Sequence, residues 1–237
     1  VLVQPGLYVE NIDFDGHNIV VGSLFVTTGD TVYVQRTIID GDSSDSVVQF
    51  GSRETETAEL SGFTLRNGFA VLGGGIFIRD SSPTLSHLVV SGNWAGDDRA
   101  GYVGAGIYMD RNATPHLRNV IIRNNRTQNL GHGGGIYCSE DAIPELMNCT
   151  IFNNWAKYGG GLVADNAFPT LIESVILNNT ADDKAGGIWT LNHSTVTLND
   201  VVISGNQTDD AGRGGAIFND LGSTIIMDRV TVSSNMA

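Results

Sequence analysis

The chain has 237 residues, 41% of them hydrophobic and 16% charged, enough to bury a sizeable core in one continuous array. A net charge of −13 with only two lysines opposes contact with nucleic acid or anionic lipid, so neither is expected as a partner. No stretch reaches the ~20 apolar residues of a membrane helix, so this segment is not expected to insert in a membrane.

In chain order, residues 1–66 read as less regular opening coils. They begin abruptly at "VLVQPGLYVENIDF", as expected where a leader has been removed. Residues 67–237 hold six glycine-marked repeats. Glycine-rich triplets or pairs stand before Ile76, Ile107, Ile136, Leu162, Ile188 and Ile217, in steps of 31, 29, 26, 26 and 29 residues. A recurring asparagine keeps time with them at Asn93, Asn125, Asn154, Asn179, Asn206 and Asn235. The thirty glycines therefore fall at fixed phase, which rejects low complexity, and the period indicates a solenoid or a propeller.

Each lap is predicted to hold two clear strands and a short third. The first follows the glycines, as in Ile107-Tyr108-Met109, with alternate residues on opposite faces. A polar turn follows, often ending in proline: Pro83, Pro115, Pro144 or Pro169. The second runs up to the asparagine, with apolar residues eight and three positions before it in every lap. The position five before is also apolar except at Ser174. No lap shows helical spacing, and a propeller blade needs about 40 residues and four strands. One lap per coil, with equivalent residues about 4.8 Å apart, fits a parallel β-helix. The glycines are expected at one corner, where positive φ and close approach are needed. The asparagines are expected at another, in left-handed geometry and stacked into an amide ladder.

Cys138 and Cys149 occupy core positions and read as buried thiols, although a disulfide across the core stays open. N-x-Ser/Thr motifs such as those at Asn112, Asn125, Asn148, Asn192 and Asn206 carry little weight beside the regular repeat.

The phrases Gly133-Gly134-Gly135-Ile136-Tyr137-Cys138, Phe152-Asn153-Asn154 and Gly214-Gly215-Ala216-Ile217 carry a resemblance. They resemble the repeats of pectin-lyase-like proteins and of polymorphic outer-membrane proteins, over nearly the whole chain. The resemblance implies an all-β fold, a right-handed single-stranded parallel β-helix with roughly 25–32 residues per coil. It implies a secreted or cell-surface protein, and it is compatible with lyases, hydrolases, epimerases and adhesins. In related polysaccharide lyases Ca²⁺ neutralises a uronate and a Lys or Arg is the base.

Acidic pairs lie between asparagine and glycine corners: Asp97-Asp98 beside Arg99, Asp182-Asp183 beside Lys184, and Asp209-Asp210 near Arg213. The last two pairs fall in neighbouring laps. Stacking would gather four carboxylates, a set that suits Ca²⁺, with Lys184 or Arg213 as candidate catalytic base. The simpler account is that acids beside bases solvate a loop. Gly131-His132-Gly133 is similar to a polygalacturonase motif, but its companion Asn-Thr-Asp and Arg-x-Lys are missing, and His132 reads as incidental to a glycine corner.

The stronger candidate is the row opposite the core on the first strand: Phe77, Tyr108, Tyr137, Val163, Trp189 and Phe218. An aromatic stripe suits sugar rings or a protein partner, or it stacks along the sheet under long loops. The expected function is a rigid binding or structural module taking polysaccharide, or copies of itself stacked end to end or laterally, with no cofactor required. The alternative is a lyase, epimerase or hydrolase on an acidic glycan. The lack of terminal caps fits a segment of a longer chain.

Overall fold

The computed structural model describes all residues except 97–102, 129, 210, 211 and 221. Among the described residues the strands form four parallel sheets of eight, nine, nine and six strands. One coil illustrates the path. Ile107–Asp110 lies in the first sheet, His116–Arg118 in the second, Ile121–Arg123 in the third and Arg126–Thr127 in the fourth. Each strand pairs in register with its equivalent one coil away, so the chain is the expected parallel β-helix. Among the described residues no helix is long and apolar enough to cross a membrane.

The aliphatics after the glycines form the expected inward column. Val48, Ile76, Ile107, Ile136, Leu162, Ile188 and Ile217 pair in succession, and all but the half-buried Ile217 are fully buried. Like packs over like at the ladder spacing of about 4.8 Å, and the core is continuous.

The stretch predicted as one second strand is two. His87, Asn119, Asn148, Glu173, Asp200 and Arg229 each take φ between 49° and 56° and turn the chain between the second and third sheets. The apolar residues eight and five before the asparagine are three apart. A straight strand would put them on opposite faces. The left-handed residue between them turns both inward, so Leu117 and Val120 are both fully buried.

The other corner also differs from expectation. The left-handed residue is the one before each ladder asparagine: Gly92, Asn124, Asn153, Asn178, Gly205 and Ser234. The ladder asparagines point inward and are buried from Asn93 through Asn206. Asn154 Oδ1 accepts from Asn125 N–H and from Asn125 Nδ2, both at 3.0 Å. Asn154 Nδ2 donates to Asn179 Oδ1 and to the Ile122 carbonyl, also at 3.0 Å. Asn125 and Asn206 spend their amides in this ladder, inside the coil.

The glycine corner packs on this ladder. Gly133 takes φ 67°, and a Cβ on Gly135 would lie 2.5 Å from the Gly161 carbonyl and 3.0 Å from Asn154 Nδ2. Where the fifth repeat has only two glycines, Ala185 takes the first position at φ 54°.

Two short helices, Phe25–Thr28 and Val32–Arg36, interrupt the opening coils and were not anticipated. Cys138 and Cys149 are free and buried. Burial pushes both thiols up, Cys149 to about 12, so neither forms thiolate at neutral pH.

Asn154→Ala leaves the Asn125 N–H without its acceptor inside the coil and takes one partner each from the Asn125 side-chain amide, the Ile122 carbonyl and Asn179 Oδ1. Each buried group left unpaired costs about 1–3 kcal/mol. Chemical denaturation is expected to show a loss of at least that size, and unchanged stability would mean the ladder contributes nothing net.

Candidate functional site

The outer row of the first sheet is in register from Phe77 through Tyr108, Tyr137, Val163 and Trp189 to Phe218. Rings stack on their neighbours: Phe77 on Tyr108 at 5.7 Å and Tyr108 on Tyr137 at 6.0 Å, within 14° of parallel. Their faces are thus turned to one another along the axis.

The row is not a bare stripe. Tyr108, Tyr137 and Trp189 are 5%, 8% and 5% exposed, and Val163 is fully buried. Phe77 and Phe218, at the two ends, are half-buried. The cover is a second row borne by the loops just before the glycine corners: Leu72, Val103, His132, Tyr158, Lys184 and Arg213. Each is laddered to the next. The two rows pack into a satellite apolar cluster outside the first sheet. The His132 ring meets Tyr158 edge-on at 5.0 Å and lies 5.3 Å from Trp189. Lys184 Nζ stands 5.2 Å from the Trp189 ring and 5.3 Å from that of Phe218.

A polar row flanks the aromatic one two residues on. Arg79 binds the fully buried Asp110 through Nη2 at 2.7 Å and Nε at 3.0 Å, and Tyr108 donates to the same carboxylate at 2.8 Å. The hydrogen bonds to Asp110 hold the Arg79 guanidinium charged, and burial pushes the Tyr108 phenol up to about 12. One coil beyond Ser139, the Tyr137 hydroxyl donates to Asp165 Oδ2 at 2.6 Å, and Asn192 Nδ2 donates to Asp165 Oδ1 at 2.6 Å. Burial first, then the Asp165 carboxylate, keeps Tyr137 protonated.

Between these rows runs a groove of about 620 Å³. Leu72, Val103 and Leu130 are its apolar wall, and Tyr108, Tyr137, His132 and Tyr158 its aromatic part. Ser139, Glu140, Asp165 and Asn166 supply polar groups. Sequence reasoning read His132 as incidental to a glycine corner and did not single out Tyr158, Asp110 or Asp165. The available signal was positional: cover residues mostly sit immediately before a glycine triplet, and the polar row sits two residues after the aromatic one.

Among the described residues no group of three or more His, Cys, Asp or Glu is placed to hold a metal ion. Asp210 and the pair Asp97-Asp98 lie outside the described residues. Burial and then the Asp209 charge raise the Asp182 pKa, opposed by Lys157, the Trp155 indole and Arg126. Asp183 and Asp209 serve through their backbones, in bonds to Arg213 and Ala181. Lys184 and Arg213 are neighbours in the cover row, with Lys184 3.9 Å from Asp220.

A family model described as a right handed beta helix region matches residues 9–235. Comparison with curated proteins finds no match, and neither does comparison with solved structures.

Burial holds the His132 imidazole below the ordinary histidine value of 6.5. The native state then binds fewer protons than the unfolded chain, so stability is complete above about pH 6.5 and falls as pH drops toward the native pKa. His87 is shifted the same way, also by burial. Thermal melts across this window are expected to show a flatter decline in His132→Gln than in wild type. An identical slope would mean that His132 titrates alike in both states.

Proposed function

We propose that this chain, which belongs to the right-handed β-helix family, is a rigid binding module that takes a neutral saccharide chain in its covered aromatic groove. One observation carries the reading: hydroxyls, amides and carboxylates converge on a partly apolar groove that no described lysine or arginine lines. Such a lining repels a uronate and suits sugar hydroxyls, which donate to carboxylates in charge-assisted hydrogen bonds. Asp165 accepts one described side-chain bond on each oxygen, which leaves lone pairs for a ligand. Leu72, Val103 and Leu130 meet the C–H faces of the rings. Stacked strands hold these groups in place, so little ordering cost is added on binding. Such a module acts where polysaccharides are met, secreted or at the cell surface, and the reading invokes no metal.

A second reading, catalysis on an acidic glycan, has one observation in its favour. His132, held neutral by burial, lies 6.2 Å from the Tyr137 ring, whose hydroxyl stays protonated against Asp165. That places a base and an acid on one groove. Elimination at a uronate also needs a cation at the carboxylate. Lys184 and Arg213 stand two and three rungs past His132, about 10 and 14 Å along the axis.

Calorimetry with cellohexaose, xylohexaose and mannohexaose is expected to find binding to at least one. Asp165→Asn is expected to weaken it by about 1.5–3 kcal/mol, tenfold or more, through loss of a charge-assisted hydrogen bond. Absence of binding to all three would overturn the reading. Unsaturated products accumulating from a polyuronate, and abolished by Lys184→Ala, would establish the alternative.

A further inference from the structure

The fourth sheet has its own outer row, on a face separate from the groove. Phe69, Trp94, Arg126, Trp155, Thr180 and Gln207 are in register. The inner partners Ala95, Thr127, Ala156, Ala181 and Thr208 are small and buried, so the sheet lies close on the corner and turns its large residues outward. The Arg126 guanidinium sits 4.0 Å from the Trp155 ring centre and 5.6 Å from that of Trp94. Across the asparagine corner, Arg123 lies 6.0 Å from the Phe152 ring. Trp94 is 40% exposed, and both arginines are exposed.

The charges on this face are sorted along the axis. Among the described residues Arg123 and Arg126, like Arg36 and Arg213 elsewhere, belong to no ion pair, whereas Arg53, Arg66, Arg79, Arg111, Arg118 and Arg229 all do. Two coils beyond Arg126 the same sheet carries Asp182, and Asp209 follows one coil later. The Asp182 pKa is raised by burial and by Asp209, so like charges crowd at that end. Trp155 stands between the arginine end and the acidic end.

We infer that this face is the contact between two copies of the chain, packed side by side and antiparallel about a two-fold axis at Trp155. In that arrangement the coil holding Arg126 lies opposite the partner coil holding Asp182, and the reverse contact is the same by symmetry. A chain of net charge −13 offers its own copy a predominantly acidic surface. Among the described residues this face sets arginines that belong to no ion pair beside exposed tryptophan, the residue types that dominate interface energetics. Stacking on Trp155 leaves the guanidinium N–H edge free to form a forked bond with a carboxylate. The row spans five rungs from Trp94 to Gln207 counted inclusively, about 20 Å along the axis. A face of that length and one short strand wide covers less than the ~800 Å² per partner of a standard interface, so the dimer is weak and concentration-dependent.

The test is sedimentation equilibrium of the whole chain over a range of concentrations, at low and high salt. A reversible dimer weakened by salt is expected. Arg126→Glu and Asp182→Arg, each alone, are expected to raise the dissociation constant about tenfold or more, and the double variant to restore it. Trp155→Ala is expected to weaken association as well. A monomer at every concentration would overturn the inference. So would a dimer indifferent to Arg126→Glu and Trp155→Ala, or a double variant no better than the singles. If circular dichroism shows Arg126→Glu unfolded, Asp182→Arg and Trp94→Ala decide on the same criteria. Oligosaccharide binding in the groove is expected to survive Arg126→Glu, so the two readings stand or fall separately.

Discussion

Everything in this protein depends on the parallel main-chain ladder between coils. It fixes neighbouring coils at about 4.8 Å and sets each residue over its equivalent in the next lap. A side chain that stacks well on itself is repeated, and one that does not is excluded. Isoleucine over isoleucine builds the inner column. Asparagine over asparagine closes a chain of amide bonds in which each side chain accepts from one coil and donates to the next. That chain fills the corner with amides that pair with one another and with the main chain, and it leaves no room for a Cβ at the facing glycines.

The same spacing builds the outer layers. Aromatic residues on the first sheet stack because their coils must, and the stacked row is a large apolar surface. The loops between asparagine and glycine corners fold over it, pair among themselves, and end in the cover row. Burial then has consequences for charge. Asp110 survives fully buried because Arg79 and Tyr108 saturate it, as a desolvated carboxylate requires. Asp165, satisfied by Tyr137 and Asn192, stays half-buried at the groove and keeps capacity for another partner.

The inner layer was legible in the sequence because period and polarity there follow directly from the ladder. The column from Ile76 to Ile217, the glycine corner and the asparagine ladder were read correctly. The turn at Asn119 was missed because a left-handed residue inside an apolar run looks like a strand interruption of no consequence. Only the three-residue gap between Leu117 and Val120 betrayed it. The ladder asparagines were placed in left-handed geometry themselves, when the residue before each one does that work.

By itself the sequence determined the fold, the repeat length, the inward column and the membership of the aromatic row, since each of these is set by neighbours along the chain or one lap away. Tertiary structure alone decided that the aromatic row is covered and that His132 lines a groove. It also decided that the arginine-bearing tryptophan row is the exposed one. The reason is physical. The loops between corners vary in length and have no period, so where they fold is settled by which outer surface they bury, and that is a property of the assembled sheets.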